Sequence, residues 1–377
     1  MAKLNFYPLG NADSTLIHLA DDRLILKDYF KVDKDDEDDK RIDLERELRD
    51  YLDQQGRADI DVVAFSHADA DHNNGADQFF WFDYAASYQG EDRIRMKELW
   101  VPACFILETG LSGSSKVIQR EAKHRFKKGY GIRIFGNPSP LEQWLEEQGV
   151  APAARRKFIT KAGTCVPGFS ATAGQVEIFA HAPFSFRMEG EEVDRNGNCL
   201  VWHLTFFDQG SLQRCIMGAD AEHQTWADIV YITEQKGNDE RLDWDLFRIS
   251  HHCSYTALSE EEGKDETVPR EEVASLFDRG TKASILVSSS DPVPDDDTDQ
   301  PPHRQAAAYY RRKAREKGVE KDFIVTMEWP DKDDPKPLVV ETSVLGLTAK
   351  KRAAAVVGAA AVVSKPSPRF GQGNGCR

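Results

Sequence analysis

The chain has 377 residues, 40% of them hydrophobic and 30% charged, which fits a soluble globular protein of one large domain or two ordinary ones. Its formal net charge of −15 excludes nucleic-acid binding over the whole surface, because phosphates would be repelled; a phosphate-bearing substrate would have to meet a local basic patch or a metal ion. No stretch approaches the ~20 apolar residues of a membrane span, and the N-terminus, Met1 to Pro8, lacks a signal peptide's apolar run, so a cytoplasmic protein is expected.

Three short strands open the chain, Leu4 to Pro8, Ser14 to Ala20 and Arg23 to Asp28, separated by the turn residues Gly10-Asn11 and Asp21-Asp22. The acidic run Asp33 to Asp39 reads as a solvated loop. Apolar residues at Ile42, Leu44, Leu48, Tyr51 and Leu52 predict a helix that Gly56 ends. Ile60 to Phe65 is a buried-strand pattern that delivers the chain into Ser66-His67-Ala68-Asp69-Ala70-Asp71-His72. A helix is expected to start near His72, with Asn73-Asn74-Gly75 in its entry turn.

Residues 110 to 165 hold eleven Lys/Arg against four Asp/Glu, a basic island in an acidic chain. It reads as a helical insertion, either a solvent-exposed cap or a phosphate-attracting wall beside a site for nucleic acid or nucleotide. Strands are then predicted at Val176 to Ala180, Leu200 to Phe207, Leu212 to Met217, Leu246 to Ile249, Ala283 to Val287, Phe323 to Glu328 and Leu338 to Thr342. Helices are predicted from about Ala221 to Glu234 and from His303 to Lys317. The organisation expected is a domain over residues 1–345, with the insertion at about 104–170, and a tail over 346–377. Ala353 to Val363, Ala/Val-rich and too short to span a bilayer, is a candidate for docking on the body or on a protein partner. The six cysteines form no CxxC pair, which argues against a Cys-based zinc site or a disulfide framework.

His67, Asp69, Asp71 and His72 put four potential metal ligands into six positions just after a buried strand. Without a cation the two carboxylates would repel each other. Two more apolar strands end in similar groups, Gly218-Ala219-Asp220-Ala221-Glu222 and His251-His252-Cys253-Ser254. Alone, Asp220 would pass for a helix N-cap, and the histidine pair for structural residues. Three such strand ends together point to one shared site.

This ordered set resembles the metallo-β-lactamase superfamily and, within it, the hydrolase domain of ComEC-type competence proteins, in which Asp commonly stands at the position of Asp69. Gly10-Asn11-Ala12-Asp13-Ser14, Asn196-Gly197-Asn198-Cys199-Leu200-Val201 and His303 after Pro301-Pro302 add to the resemblance, which spans about residues 3 to 343 with 104 to 170 unmatched. It implies an α+β fold, an αββα four-layer sandwich with the metals at one edge. It also implies two divalent ions, zinc or manganese: one on His67 and Asp69, the other on Asp71 and His72 with His251 as last ligand, and Asp220 bridging. His252 is left as an outer-sphere group, a ligand or an acid. Asp71, His252 and His303 are the implied catalytic residues, with either histidine as proton donor to the leaving group or as substrate contact. A third ligand for the first ion is missing from the pattern; His181 and Asn196 are the nearest candidates. Cys253 stands where Gly is usual and is expected to pack rather than to approach a metal. The activity implied is hydrolysis by a metal-activated water, of a phosphodiester or nucleic acid. The alternatives are a lactone, thioester or amide bond, or a metal-binding regulatory subunit.

Overall fold

The computed structural model describes residues 1–34, 38–171, 175–189, 192–318 and 323–351. Part of the acidic run and the whole Ala/Val-rich segment therefore lie outside the described residues.

The first sheet forms where apolar β-prone runs meet short turns. β1 (Lys3–Phe6), β2 (Thr15–His18) and β3 (Leu24–Lys27) make an antiparallel meander. α1 (Leu44–Gln54) follows, its N-cap Asp43 accepting from the Arg46 amide and its buried face formed by Leu44, Leu48, Tyr51 and Leu52. It crosses to β4 (Asp59–Ala64), which pairs parallel to β3. After α2 (Ala76–Phe79) come β5 (Arg95–Pro102), α3 (Cys104–Leu107), α4 (Gly113–Lys128), β6 (Ile132–Phe135), α5 (Pro138–Glu147) and the two-residue β7 (Ile159–Thr160).

β8 (Thr164–Cys165) starts the second sheet, with β9 (Val176–Ala182), β12 (Val201–Asp208) and β13 (Ser211–Met217) antiparallel in turn. Between β9 and β12 stands a small separate hairpin, β10 (Met188–Glu189) and β11 (Glu192–Val193). α6 (His223–Gln235), β14 (Trp244–Arg248), α7 (Glu271–Asp278), β15 (Gly280–Ser288), α8 (Arg304–Glu316) and β16 (Phe323–Val325) then extend the second sheet in parallel. The chain returns to the first sheet with β17 (Leu338–Ser343) and β18 (Gly346–Lys351).

The sheet orders are β18-β17-β1-β2-β3-β4-β5-β6-β7 and β16-β15-β14-β13-β12-β9-β8. Three apolar clusters define the layers. Leu24, Leu26, Val63 and Leu99 meet α1, α2, α4 and α5 through Leu48, Phe79, Ile118 and Leu141. Between the sheets, Leu4, Ile17, Val62 and Trp100 meet Ile178, Trp202, Leu246 and Val287. Beyond the second sheet, Ile216, Phe247 and Leu286 meet Trp226, Leu276 and Tyr310 of α6, α7 and α8. The fold is the αββα four-layer sandwich, each sheet covered by helices on its outer face.

Two expectations change. Residues 104–170 are no external cap: β6 and β7 lengthen the first sheet, α4 and α5 build its helical layer, and β8 crosses to the second sheet. Four of the eleven basic residues are engaged by other groups of the chain, Arg156 in an exposed pair. Arg125, 2% exposed, pairs with the buried Glu121 and with Asp83; Arg133 is buried and donates to Thr160; Arg155 donates to the Phe126 and Lys127 carbonyls at the end of α4; and Arg156 pairs with Glu142. Nor does the sheet stop at residue 345. β18 pairs with β17 over six positions, and Leu347 and Ala349 pack on the inter-sheet core.

Candidate metal centre

The site lies beyond the carboxyl ends of β3, β4, β13, β14 and β15, where loops can project side chains from a rigid base. β4 ends in Ser66-His67, β13 in Asp220 and β14 in His251-His252. Backbone bonds tie these ends together: the Leu200 amide donates to the Ser66 carbonyl, the Asp13 amide to the Asp71 carbonyl, and the His251 amide to the Ala219 carbonyl. Two glycines are required by space. A Cβ on Gly218 would lie 2.2 Å from Ser250 Oγ, and one on Gly75 (φ +75°) would lie 2.4 Å from Lys31 Cβ. Gly75 ends the turn that follows Asp71-His72, a single 3₁₀ turn over Ala70–His72 rather than the start of a longer helix.

Three imidazoles present Nε2 to the site because their Nδ1 atoms are engaged behind it. Ser66 Oγ lies 3.0 Å from Nδ1 of both His67 and His72, and Asp28 Oδ2 is 3.2 Å from His72 Nδ1. His252 Nδ1 donates to the Ser289 carbonyl at 2.8 Å. Such outer partners fix tautomer and ring orientation. In front, His72 Nε2 is 3.1 Å from Asp220 Oδ1 and 3.5 Å from Asp71 Oδ2. His252 Nε2 is 2.9 Å from Asp71 Oδ2 and 3.5 Å from Asp220 Oδ2. His67 Nε2 is 3.4 Å from Asp69 Oδ2 and 3.9 Å from Asp220 Oδ2.

His67 Nε2, His72 Nε2 and Asp220 Oδ1 are all buried and make no well-aligned hydrogen bond, the last two meeting only as an ion pair. Leaving such groups unpaired costs about 1–3 kcal/mol each, so a metal ion is the group this donor set fits. One ligand atom each from Asp71, His72, Asp220 and His252 lies within 4.8 Å of the others. Electrostatics agree. Burial works against charge throughout, yet Asp220 holds the His72 imidazole well above its ordinary value, and His252 is raised to about 9 by Asp220 and Asp71. Asp220 is itself held low by His72 and His252. The cluster demands positive charge, which either protons or a metal ion can supply.

His252, rather than His251, joins this group. His251, His252 and Cys253 all adopt left-handed backbone (φ 49°, 51° and 67°), and the tight turn sends the two adjacent rings apart. His251 Nδ1 instead meets Thr256 Oγ1 at 3.2 Å and Glu222 at 3.6 Å. Cys253 keeps the left-handed geometry in which Gly is usual and buries its thiol in the third apolar cluster; it packs, as expected. His303 is 3% exposed, accepts from the Tyr255 amide through Nδ1 at 3.4 Å and packs edge-on against Tyr255. Through this bond, and its own amide donating to the Cys253 carbonyl, it supports the 251–256 loop. His181 lies outside the site, donating to the Arg241 carbonyl beside His203. Asn196 is at the rim, its amide donating to Glu222 at 3.3 Å.

Two groups went unforeseen. Asp28, 1% exposed, accepts from the Ser66 amide at 2.6 Å and pairs with the buried Lys27 at 3.2 Å. Arg195 donates to Asp69 Oδ1 at 2.6 Å and, through Nε and a terminal nitrogen, to Glu108 Oε1 at 3.0 and 2.7 Å. Asp13, expected only as part of an N-terminal motif, forms a buried ion pair with Arg248 behind His72.

Beside Asp69 opens a cavity of about 620 Å³, bounded by Glu108, Phe186, Val193, Arg195, Asn196 and Glu222 among others. None of the eleven basic residues of segment 110–165 lines it.

No protein-family model matches the chain, and no curated protein matches it. Solved structures give remote similarities. A protein described as a metal-dependent hydrolase from Parabacteroides distasonis ATCC 8503 is 14% identical, with 85% of this chain and 92% of that one covered and a TM-score of 0.32. A diphosphatase from the PhnP family is 11% identical over 77% and 87%, TM-score 0.32. The metallo-β-lactamase GOB-18 from Elizabethkingia meningoseptica is 14% identical over 73% and 87%, TM-score 0.32.

Proposed function

We propose that the chain is a metal-dependent hydrolase of the metallo-β-lactamase superfamily that cleaves a small phosphodiester. The observation that carries this is that one ligand atom each of Asp71, His72, Asp220 and His252 lies within 4.8 Å of the others at the strand ends, with the buried His67 Nε2 beside Asp220 making no hydrogen bond. Asp71, His72, Asp220 and His252 would hold one divalent ion; His67 and Asp69 would hold a second with Asp220 between them. Bound ions of this kind acidify a water at neutral pH and neutralise charge on an attacked phosphoryl group. The chain's own part is to fix the ligands. Ser66, Asp28 and the Ser289 carbonyl orient three imidazoles, and Asp71 and Asp220 draw positive charge into the set.

The cavity supports a short substrate over a long polyanion. Among the described residues its wall carries Asp69, Glu108, Glu192, Asp194 and Glu222 against the single cation Arg195. The same wall, with Leu107, Phe186, Met188 and Val193, favours as a second reading a neutral ester, thioester or amide. The test is hydrolysis by zinc- or manganese-loaded protein of bis-p-nitrophenyl phosphate, short oligonucleotides, a lactone, a thioester and an amide. Metal-dependent turnover of the phosphodiester alone is expected. Turnover of only a carbonyl substrate would transfer the reading to the second class, and no turnover of any would overturn both.

A further inference from the structure

The two halves of the centre are not equivalent. Asp71, His72, Asp220 and His252 close into a compact group of four ligands. The other half has His67 and Asp69 with Asp220 at 3.9 Å, and among the described residues these do not form a comparably tight set. Asp69 is also already committed. Its Oδ1 accepts a charge-assisted bond from Arg195 at 2.6 Å, leaving Oδ2 toward His67 at 3.4 Å. The guanidinium is not a casual surface group. Glu108, 7% exposed, grips it through two nitrogens, which fixes the fork over Asp69.

We propose that Arg195 is a built-in competitor for Asp69, so that the centre fills in order: the Asp71–His72–Asp220–His252 half first, and the His67–Asp69 half second and more weakly. This rests on the metal centre proposed above. The reasoning is charge balance. A carboxylate shared with a fixed guanidinium has less charge to offer an ion, and the incoming cation is repelled by the one already there. Because Arg195 also borders the cavity, an anion bound there would draw the guanidinium from Asp69 and favour the second ion, and the second ion would favour the anion equally.

The experiment titrates chelator-stripped full-length protein with Zn²⁺ and, in parallel, Mn²⁺, by calorimetry. Wild-type protein is expected to bind in two separated steps. Arg195→Gln, in a side chain 36% exposed and so tolerant of change, should tighten the second step about tenfold, equivalent to ~1.4 kcal/mol, and leave the first unaltered. Asp69→Asn should remove the second step only. Unfolding curves of both variants matching wild type guard against misfolding. Equal affinities in wild type, an unchanged second step in Arg195→Gln, or loss of both steps in Asp69→Asn would overturn the proposal while leaving a metal centre in place. No binding of either ion by wild-type protein would overturn the metal centre itself, and this proposal with it.

Discussion

Asp28→Asn is the most informative single change behind the centre. The carboxylate is 1% exposed and accepts from the Ser66 amide at 2.6 Å, Lys27 Nζ at 3.2 Å and His72 Nδ1 at 3.2 Å. Burial opposes its charge, but Lys27, His72 and the Ser66 amide outweigh that and hold it well below the usual carboxylate range. Asn is the cleanest replacement. Asp28 sits at φ 62°, a conformation Asn tolerates and Ala does not, so backbone strain is held constant. What changes is charge. Lys27, 3% exposed, is left as an uncompensated buried cation, at a cost of about 3–5 kcal/mol by precedent for broken buried pairs. The orienting bond to His72 also weakens, which typically costs 10–100-fold in metal affinity. Denaturant unfolding of stripped protein and metal titration read the two effects separately. A Lys27→Met/Asp28→Asn double variant should recover ~1–3 kcal/mol relative to the sum of the single changes. A loss below ~0.5 kcal/mol, the size of an ordinary surface change, together with unaltered metal affinity, would refute the reasoning.

Other outcomes follow from the same structure. Burial holds His181 neutral down to about 4 and His203 down to about 3, against an ordinary value of 6.5. The unfolded chain therefore takes up protons first as pH falls, and stability present above pH 6.5 is lost progressively toward those values. The contribution is about 3 kcal/mol for His181, and His181→Gln should flatten this limb in pH-dependent unfolding without altering metal stoichiometry. Chelation should lower the thermal midpoint: an ion at 100 times its dissociation constant stabilises by ~2.7 kcal/mol, a shift measurable by calorimetry. His252→Gln should reduce first-ion affinity at least tenfold, whereas His303→Gln should leave it unchanged and instead loosen the 251–256 loop, seen as faster hydrogen exchange. Replacing Lys123, Lys127 and Lys128 together by Gln should leave turnover of a small phosphodiester unaltered, because none of them borders the cavity.

The site was legible where its chemistry is local. Ile60 to Phe65 is apolar, His67 to His72 is dense in ligands, and the strand–ligand pattern recurs at Asp220 and the His251-His252 pair. The choice between the two histidines was not, because three successive left-handed residues set it and no residue type there announces them. Arg195 was hidden because it meets Asp69 across 126 residues, although it directly precedes the Asn196-Gly197-Asn198 segment that was noticed. Asp28 carried a usable signal, a Lys-Asp pair closing an otherwise apolar strand. The part of segment 104–170 in the sheet is hard to see in the sequence because its strand patterns are brief: Ile132–Phe135 spans four residues and Ile159–Thr160 two. The sandwich itself was reached through the resemblance of motifs, and the three apolar clusters account for it physically.

The central claim is that Asp71, His72, Asp220 and His252 hold a divalent ion. Elemental analysis of purified wild-type protein and of Asp220→Asn, both dialysed against metal-free buffer, tests it most directly. Wild-type protein should retain at least one equivalent of zinc or manganese and Asp220→Asn close to none. Metal-free wild-type protein that also fails to take up either ion, or an Asp220→Asn variant that retains as much as wild type, would contradict it.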